Sequence, residues 1–308
     1  MTDNTVYVYM NGKYVPSENA TINVRAHALM YGTSVFEGIR GYWNEEENRI
    51  YIFRMKEHYE RLERSCRIMH MKMPHTVEEL CDITVELIKK NKPKTDTYIR
   101  PSIYKCGETI GPKLIGNPDG TIIFTTPLGQ YVDITKGLNV CVSSWRRIYD
   151  SCIPSRAKVG GSYCNAALIK TDAILSGFDE AITLTVDNKV NEGSAMNLFV
   201  VRDGKLVTTT KTDDILEGIT RDTILKMAND LNIECEERRM DRTELYICEE
   251  AFFCVTRAQV APITKIDHRP VGEGKPGPIA KKLQDLYFDI VRGKVEKYKH
   301  WCVPVDID

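Results

Sequence analysis

The break in apolar patterning at residues 127–137 is the feature that most limits how this chain can fold. That stretch contains one proline, two glycines and several polar residues, and the regular spacing of apolar side chains stops within it. A chain of 308 residues is also too long to fold around one small core, and its length suggests two domains of ~150 residues each. We therefore predict an N-terminal domain over residues 1–128, a connector over 129–137 and a C-terminal domain over 138–308.

The order of strand-like and helix-like segments predicts an α/β protein of the α+β type. In the first domain, Asn11-Gly12 is a turn signal between two strand-like segments. Thr76 and Glu79 have the spacing of a helix capping box. Before them, an apolar stripe at three- and four-residue intervals predicts another helix, with Met55, Tyr59, Leu62, Cys66 and Met69 on one face. The second domain alternates short apolar runs with turn signals, which predicts a strand-rich α/β domain. There we predict helices over residues 162–175, 221–231, 242–248 and 278–292, strands over 180–186, 196–202 and 205–210, and an irregular tail after His300.

Composition argues against several classes of partner. The 42 basic and 43 acidic side chains leave a formal net charge of -1, which provides no general attraction for nucleic acid or an anionic membrane. No run of ~18 apolar residues is present to cross a membrane, and no signal peptide is visible. The ten cysteines include no Cys-x-x-Cys pair, which indicates free thiols in a reducing compartment and no metal site. These features predict a cytoplasmic enzyme.

Lys158 stands in an unusual setting, because two glycines and a predicted helix follow it in Lys158-Val-Gly-Gly-Ser-Tyr163. Glycine lets the backbone approach a bulky ligand closely. A partly desolvated lysine loses proton affinity and becomes nucleophilic at neutral pH, as Schiff-base chemistry requires. A lone lysine before two glycines is also common on protein surfaces, so this segment alone leaves both interpretations open.

Two further segments suit a phosphorylated pyridine cofactor. Gly218 and Thr220 precede an apolar helical pattern, with Thr220 as the predicted N-cap, and the free N–H groups of a helix start bind phosphate. Glu192 precedes an apolar strand, and a carboxylate beside a pyridine nitrogen keeps that nitrogen protonated. An ordinary capped helix and a turn glutamate are the alternatives for these two segments.

Four segments occur together at separations that resemble one known family. The chain resembles the branched-chain amino acid aminotransferases of the pyridoxal phosphate (PLP) fold-type IV superfamily, from Tyr7 to the last helix. The resemblance implies two domains with PLP in the cleft between them. The matching segments are Tyr31-Gly-Thr-Ser-Val-Phe-Glu-Gly-Ile-Arg40, Lys158-Val-Gly-Gly-Ser-Tyr163, Glu192-Gly-Ser-Ala-Met-Asn-Leu-Phe199 and Gly218-Ile-Thr-Arg-Asp222, with Tyr98-Ile-Arg-Pro101 as a further marker of the branched-chain group.

The resemblance also implies a role for each matched residue at the cofactor. Lys158 would form the Schiff base with pyridoxal 5'-phosphate and then move the substrate proton. Tyr163 would hydrogen-bond the phenolic oxygen of the cofactor, and Glu192 would pair with the pyridine nitrogen. The phosphate ligands would be the Arg61 guanidinium, the Thr256 hydroxyl and the backbone amides of Ile219 and Thr220.

For the substrates, the resemblance implies L-leucine, isoleucine or valine with 2-oxoglutarate, in a ping-pong transamination. Arg100 would hold the distal carboxylate of glutamate or 2-oxoglutarate, while Arg40 would either assist or form an ion pair with Glu37 or another carboxylate. Tyr31 of one subunit would reach the site of another, which implies at least a homodimer. The apolar walls and the α-carboxylate site would come from Tyr31, Phe36, Tyr98, Tyr131, Tyr163, Arg257 and Ala258.

Arg257 departs from the family pattern, because a small residue usually follows the threonine in the segment Thr256-Arg257-Ala258. The arginine either projects outward or changes the substrate. The alternatives to a branched-chain enzyme are therefore a fold-type IV transaminase for an unusual 2-oxo acid or a D-amino acid, an aminodeoxychorismate lyase, and a non-catalytic PLP-binding protein. The combination of Lys158, Tyr163 and Glu192 argues against the last of these.

Overall fold

The computed structural model of this chain describes residues 5–128 and 136–307. In these residues the strands are β1 (Tyr7–Met10), β2 (Lys13–Pro16), β3 (Ser34–Phe36), β4 (Ile39–Asn44), β5 (Arg49–Phe53), β6 (Thr97–Lys105), β7 (Asp119–Pro127), β8 (Leu138–Arg146), β9 (Glu180–Leu184), β10 (Val190–Gly193), β11 (Asn197–Arg202), β12 (Lys205–Thr208), β13 (Cys235–Glu237), β14 (Glu250–Val255), β15 (Gln259–Ile266), β16 (Arg269–Pro270) and β17 (Cys302–Asp306). The α-helices are α1 (His27–Tyr31), α2 (Met55–Ile68), α3 (Val77–Asn91), α4 (Tyr163–Leu175), α5 (Ile219–Asp230) and α6 (Pro278–Val291). Short 3-10 helices lie at Ser17–Asn19, Arg242–Tyr246 and Glu296–Trp301. The mixture of helices and strands agrees with the predicted fold class.

The chain forms two compact units, and neither is a continuous stretch of sequence. Unit one comprises Met1–Gly129, Ala157–Gly161 and Asp289–Asp308, while unit two comprises Gln130–Arg156 and Ser162–Phe288. These units differ from the predicted division at the connector, because the short Lys158 segment and the chain after α6 both belong to unit one. That the predicted boundaries separate independently folding domains remains a prediction.

The sheet of unit one has the strand order β17-β5-β4-β6-β7-β1-β2, with β3 paired to β6. Every pairing between these strands is antiparallel. Helix α2 buries the apolar stripe that its sequence spacing predicts, since Met55, Tyr59, Leu62 and Cys66 are all buried. Helix α3 begins at the predicted capping box, in which Thr76 and Glu79 exchange side-chain and backbone hydrogen bonds.

The chain after His300 is ordered as a strand, so the prediction of an irregular tail was wrong. Strand β17 pairs antiparallel with β5 at the edge of the unit-one sheet, with Val303 opposite Ile52. Pro304 obscures the alternating pattern of this short segment. A proline is tolerated here because an edge strand presents one row of its backbone groups to solvent.

The segment around Lys158 joins unit one through backbone hydrogen bonds. The Gly160 amide donates to the Ser34 carbonyl at 2.8 Å, and the Gly161 amide donates to the Gly32 carbonyl at 3.0 Å. Gly32 has a φ of +67°, and a Cβ added there would lie 2.8 Å from the Gly161 Cα. The two backbones therefore approach each other at a distance that only glycine permits.

The sheet of unit two has the order β10-β9-β8-β15-β14-β11-β12-β13, with β16 paired to β15. Three of its pairings are parallel: β8 with β9, β8 with β15 and β12 with β13. Its apolar core includes Leu198, Phe253 and Ile263. The helix predicted over residues 242–248 is a 3-10 turn at Arg242–Tyr246 instead. A capping box at Asp241 opens that turn, but the apolar periodicity is too short to extend it.

All ten cysteines are free thiols, as their spacing predicts. Burial raises the pKa of the Cys66 and Cys302 thiols to about 12, so both stay protonated at neutral pH. In the part of the chain that the structure describes, no helix is long and apolar enough to cross a membrane. The same residues contain no group of three or more His, Cys, Asp or Glu side chains placed to hold a metal ion.

Candidate active site

Lys158 is held in unit one by hydrogen bonds on both sides of its backbone. Its amide donates to the Ser65 Oγ at 3.2 Å, and its carbonyl accepts from the Phe36 amide at 3.0 Å. Its Nζ lies 5.1 Å from the centre of the Phe36 ring, within the range of a cation–π contact. The amine therefore has an aromatic wall on one side, and Lys158 itself is only partly exposed. A lysine in this position is more than a solvated surface charge.

Arg100 lies on the same aromatic ring. Its guanidinium carbon is 4.2 Å from the centre of the Phe36 ring, and its Nε donates to the Tyr98 Oη at 3.1 Å. A side chain at Gly38 would overlap the Tyr98 hydroxyl, so glycine is required there. Three of the predicted substrate residues, Phe36, Tyr98 and Arg100, thus lie together, and Phe36 also contacts the Lys158 amine.

Arg61 forms a fully buried ion pair that the sequence did not predict. Its Nε donates to the Glu37 Oε1 at 2.6 Å and its Nη2 donates to Oε2 at 2.8 Å. The His58 Nδ1 lies 2.7 Å from the same Oε2. Burial alone would raise the pKa of the Glu37 carboxyl, but the charges and hydrogen bonds of Arg61 and His58 hold it well below its ordinary value.

His58 is a neutral hydrogen-bond donor in this cluster. Burial lowers the pKa of its imidazole, although the Glu37 carboxylate acts in the opposite direction. Because an ionised carboxylate only accepts hydrogen bonds, the Nδ1 carries the proton and donates it. The signal for this cluster was the spacing of His58, Arg61 and Ser65, which places three polar residues along one face of α2 beside its apolar stripe.

Arg40 forms an ion pair with Asp96, a carboxylate other than Glu37. Its Nη2 donates to the Asp96 Oδ2 at 2.7 Å, and its guanidinium carbon lies 4.9 Å from the Tyr42 ring centre. Asp96 also accepts a hydrogen bond from the Trp43 amide at 3.0 Å. Asp96, the residue that precedes β6, therefore holds β4 through Arg40 and Trp43.

Tyr31 is the last residue of α1, and its side chain is 39% exposed. Its hydroxyl accepts a hydrogen bond from the Gly111 amide at 2.9 Å, and its ring centre lies 4.6 Å from that of His27. The exposed ring is therefore fixed in place on the surface of unit one. Tyr131, which the sequence analysis assigned to the same substrate site, lies outside the described residues.

Glu192 lies on β10 of unit two and is buried, with both carboxylate oxygens bound. The Arg147 guanidinium is 3.1 Å from Oε1, and the Asn197 Nδ2 donates to Oε2 at 2.8 Å. The Thr183 hydroxyl donates to the Glu192 carbonyl at 2.7 Å and fixes the backbone. Glu192 is therefore not the turn residue of the alternative interpretation, because it is an oriented carboxylate inside a sheet.

The N-cap of α5 is Gly218, so the prediction of Thr220 as the cap was wrong. Gly218 has an extended backbone, and a Cβ at that position would overlap the Asn197 Oδ1. The Asn197 Nδ2 also donates to the Leu216 carbonyl at 3.0 Å, which holds the loop before the helix. Among the described residues no side chain caps this helix start, where Ile219 and Thr220 are buried. Such a helix start suits an anion.

The remaining predicted residues of unit two lie at two element ends. Tyr163 is the first residue of α4 and is partly buried. Thr256, Arg257 and Ala258 form the turn between β14 and β15, where Thr256 is partly buried, Arg257 exposed and Ala258 buried. In unit two, the extra length of Arg257 is thus accommodated at the surface and not in the core.

Comparisons with known proteins agree on one family. The family model for amino-transferase class IV matches residues 34–266 of this chain. A probable branched-chain-amino-acid aminotransferase of Aquifex aeolicus is 45% identical over 300 residues, which cover 97% of this chain and 96% of that relative. The crystal structure of the branched-chain aminotransferase from the archaeon Thermoproteus uzoniensis with norvaline has a TM-score of 0.94 and 42% identity, covering 98% of this chain and 99% of that one. The branched-chain amino acid aminotransferase from Thermobaculum terrenum, in its PLP-bound holo-form, has a TM-score of 0.93 and 39% identity, covering 98% and 99%.

Proposed function

This chain belongs to the class IV aminotransferases, and within them to the branched-chain amino acid aminotransferases, and on that basis we propose that it transfers the amino group of L-leucine, isoleucine or valine to 2-oxoglutarate. The observation that carries the proposal is the position of Phe36. Its ring contacts both the amine of Lys158 and the guanidinium of Arg100. An apolar ring in contact with both an amine and a guanidinium that can bind a carboxylate suits one site that accepts leucine and glutamate in turn.

Pyridoxal 5'-phosphate is the cofactor of this class, and the Thermobaculum terrenum relative has been solved in its PLP form. The donor set of this chain fits such a group. Lys158 provides an amine, Glu192 an oriented buried carboxylate, and the start of α5 a pair of main-chain N–H groups. When bound, the cofactor supplies an electron sink that stabilises negative charge at the substrate Cα.

We assign the proton transfer to Lys158. Its Nζ would take the proton from the substrate Cα as a general base and then give it up as a general acid, completing a 1,3-proton shift. The Tyr163 hydroxyl would orient the phenolic oxygen of the cofactor. The Glu192 carboxylate would hold a proton on the pyridine nitrogen, and its bonds to Arg147 and Asn197 keep it in place.

The phosphate is assigned to four groups of different kinds. The Arg61 guanidinium supplies a fixed cation, which binds phosphate through several N–H groups. The amides of Ile219 and Thr220 and the hydroxyl of Thr256 supply neutral donors. This division gives the phosphate the N–H groups of a guanidinium that is paired with Glu37, together with the dipole of a helix start.

For substrate recognition we assign the apolar walls to aromatic side chains and the distal carboxylate to Arg100. Ala258, beside Arg257, is assigned to the substrate α-carboxylate. A single site for both substrates implies a ping-pong order, because the first product must leave before the second substrate binds. The aromatic walls are Tyr31, Phe36, Tyr98, Tyr131 and Tyr163.

We further propose that the enzyme acts as a homodimer or a higher homo-oligomer, in the cytoplasm. What supports assembly is a set of exposed apolar residues in unit one: Val24, before α1, is 77% exposed, and Leu29, within α1, is 60% exposed. Ile110, next to the Gly111 that binds Tyr31, is 76% exposed. Large exposed apolar residues of this kind are typical of an interface.

The test is a set of half-reactions with purified PLP-loaded protein. The visible absorption band of the bound cofactor is followed after separate addition of L-leucine, L-valine, L-glutamate, L-alanine and D-alanine. We expect leucine, valine and glutamate to remove the band. Loss of the band with glutamate alone, or with D-alanine, would contradict the branched-chain substrate and favour a fold-type IV transaminase with another substrate. A protein without a cofactor band in the visible range would remove the transaminase proposal altogether.

A further inference from the structure

We propose that Glu37, supported by His58, is a positioning residue for the cofactor phosphate and acts through Arg61. The inference rests on the proposed function, because it takes Arg61 as a phosphate ligand. Glu37 and His58 are additions to the residues assigned above. Neither would contact the phosphate itself.

Both carboxylate oxygens of Glu37 accept hydrogen bonds from other residues of unit one. Oε1 accepts from the Arg61 Nε, and Oε2 accepts from the Arg61 Nη2, from His58 and from the Gly38 amide at 3.2 Å. The residue is 0% exposed. A carboxylate that is bonded on both oxygens and sealed from water is not placed to act as a base or to bind substrate. Its remaining role is to hold what it contacts.

What Glu37 holds is one edge of the Arg61 guanidinium. An arginine has five N–H groups in a planar fork, and the Glu37 pair uses one on Nε and one on Nη2. The Nη1 group lies outside this pair. A guanidinium fixed along one edge by a carboxylate presents its other edge in a single orientation, so a second anion meets a preorganised partner.

The same turns of α2 also hold the Lys158 backbone. The Ser65 Oγ donates to the Arg61 carbonyl at 2.9 Å and accepts from the Lys158 amide at 3.2 Å. His58, Arg61 and Ser65 lie along one face of α2. The cofactor must reach Arg61 and Lys158 at the same time. Fixing Arg61 against Glu37 therefore also fixes the distance between these two residues.

A buried ion pair of this kind is poorly explained by stability alone. The desolvation of two charges offsets most of their attraction, and apolar replacements are often neutral or stabilising. The competing electrostatic expectation is that Glu37 weakens phosphate binding, because it cancels the charge of Arg61. The two expectations have opposite signs, so one affinity measurement separates them.

The experiment compares PLP with pyridoxal, which lacks the phosphate, in binding to the cofactor-free protein. For Glu37→Gln we expect PLP affinity to fall about ten- to hundredfold, as for loss of a charge-assisted hydrogen bond, while pyridoxal affinity stays within about twofold. In an Arg61→Met background the same Glu37→Gln change should cause no further loss for PLP. Glu37→Asp should recover part of the affinity.

The matched control is Glu250→Gln. Glu250 is also a buried carboxylate, but it accepts from the amides of Ile279 and Ala280 at 3.0 and 2.8 Å at the start of α6. We expect this variant to lower the melting temperature without changing the ratio of PLP affinity to pyridoxal affinity. If Glu37→Gln does not fold, His58→Leu provides the measurement, since it removes one bond to Glu37 and should show a smaller loss specific to PLP.

Three results would overturn the inference. These are equal losses for PLP and pyridoxal, an unchanged PLP affinity, and a PLP affinity that rises because the charge of Arg61 is no longer cancelled. None of these results bears on the proposed function, which is tested separately by the cofactor band of the wild-type protein and by its half-reactions with leucine, valine and glutamate.

Discussion

The side-chain amide of Asn197 lies 2.8 Å from the carboxylate of Glu192, and the same nitrogen donates to the Leu216 carbonyl at 3.0 Å. Asn197 thus connects the group assigned to the pyridine nitrogen with the loop before α5, which is assigned to the phosphate. A single short side chain fixes both. Its importance is not apparent from the sequence, where it is one polar residue at the start of an apolar strand.

Replacing Asn197 by alanine should impair both ends of the cofactor site. We expect kcat to fall about ten- to hundredfold, because Glu192 loses a buried hydrogen bond and Gly218 loses its packing partner. PLP affinity should fall in the same variant, measured by titration of the cofactor-free protein. Asn229→Ala, an exposed change on α5, is the control. Wild-type kcat in Asn197→Ala would contradict the connecting role.

Lys158→Ala should abolish transamination and leave the fold nearly unchanged. The bonds that hold this segment, to Ser65 and Phe36, are made by the backbone of Lys158 and survive the substitution. We expect loss of the visible cofactor band in the absorption spectrum and a melting temperature within a few degrees of wild type. The exposed Lys226→Ala is the matched control. Normal turnover in Lys158→Ala would rule out its assignment.

Arg100→Leu should separate the two substrates. The variant retains an apolar contact with Phe36 but loses the cation, so kcat/KM for glutamate should fall about ten- to hundredfold. For leucine, which has no distal carboxylate, the change should stay within about threefold. Leucine thus serves as the internal control in steady-state assays of each half-reaction. Parallel losses for both substrates would show that Arg100 supports the site and does not select between them.

Arg257→Ala should change leucine and valine turnover by less than about twofold, since Arg257 is exposed at the turn after β14. The measurement is kcat/KM across branched-chain, acidic and small amino acids. A gain of branched-chain activity or a loss of another activity in the variant would favour the transaminase with a shifted substrate.

Ala258→Asp, at the buried neighbour of Arg257, should impair the reaction with every substrate, because it puts a negative charge beside the α-carboxylate.

The His58 and Glu37 pair should make stability fall in acid. Burial lowers the pKa of His58 below its ordinary value of 6.5, so between the two values the unfolded chain binds more protons than the folded one. Stability must then rise with pH in that window and be lost as pH falls. Glu37, whose pKa is also lowered, adds a second loss below its ordinary 4.5. The charged groups around His58 are Glu37, Arg61 and Lys158.

Urea unfolding of wild type and His58→Asn between about pH 5 and 8 measures the effect of His58. We expect the variant to show a flatter dependence on pH below the ordinary value of 6.5. His75→Asn, at a partly exposed histidine of unit one, is the control and should keep the wild-type slope. Identical slopes for His58→Asn and wild type would show that the buried imidazole does not titrate on unfolding in this range.

Local signals predicted several elements correctly. The capping box of Thr76 and Glu79 starts α3, and the apolar spacing from Met55 places the buried face of α2. Both depend on interactions within one or two helical turns, which the sequence contains in full. The family segments likewise identified Phe36 and Arg100, and in the structure the Arg100 guanidinium contacts the Phe36 ring.

The features that sequence analysis missed depend on partners distant in the chain. Glu37 is buried as a charge only because α2 brings Arg61 and His58 to it. Gly218 and not Thr220 is the cap, and the Asn197 side chain occupies the space that a Cβ at Gly218 would need. Strand β17 forms because β5 offers an open edge. None of these conditions can be read from neighbouring residues, since each is set by tertiary packing.

The discontinuity of unit one has a consequence for the order of events during synthesis. Strand β5 leaves the ribosome long before β17, and all of unit two is translated in between. Until then the outer edge of β5 has no pairing partner within the described part of unit one, and an open edge is a template for intermolecular association. The edge of β5 thus stays unpaired by β17 for a period set by translation of unit two. Deletion of the last strand would make that exposure permanent.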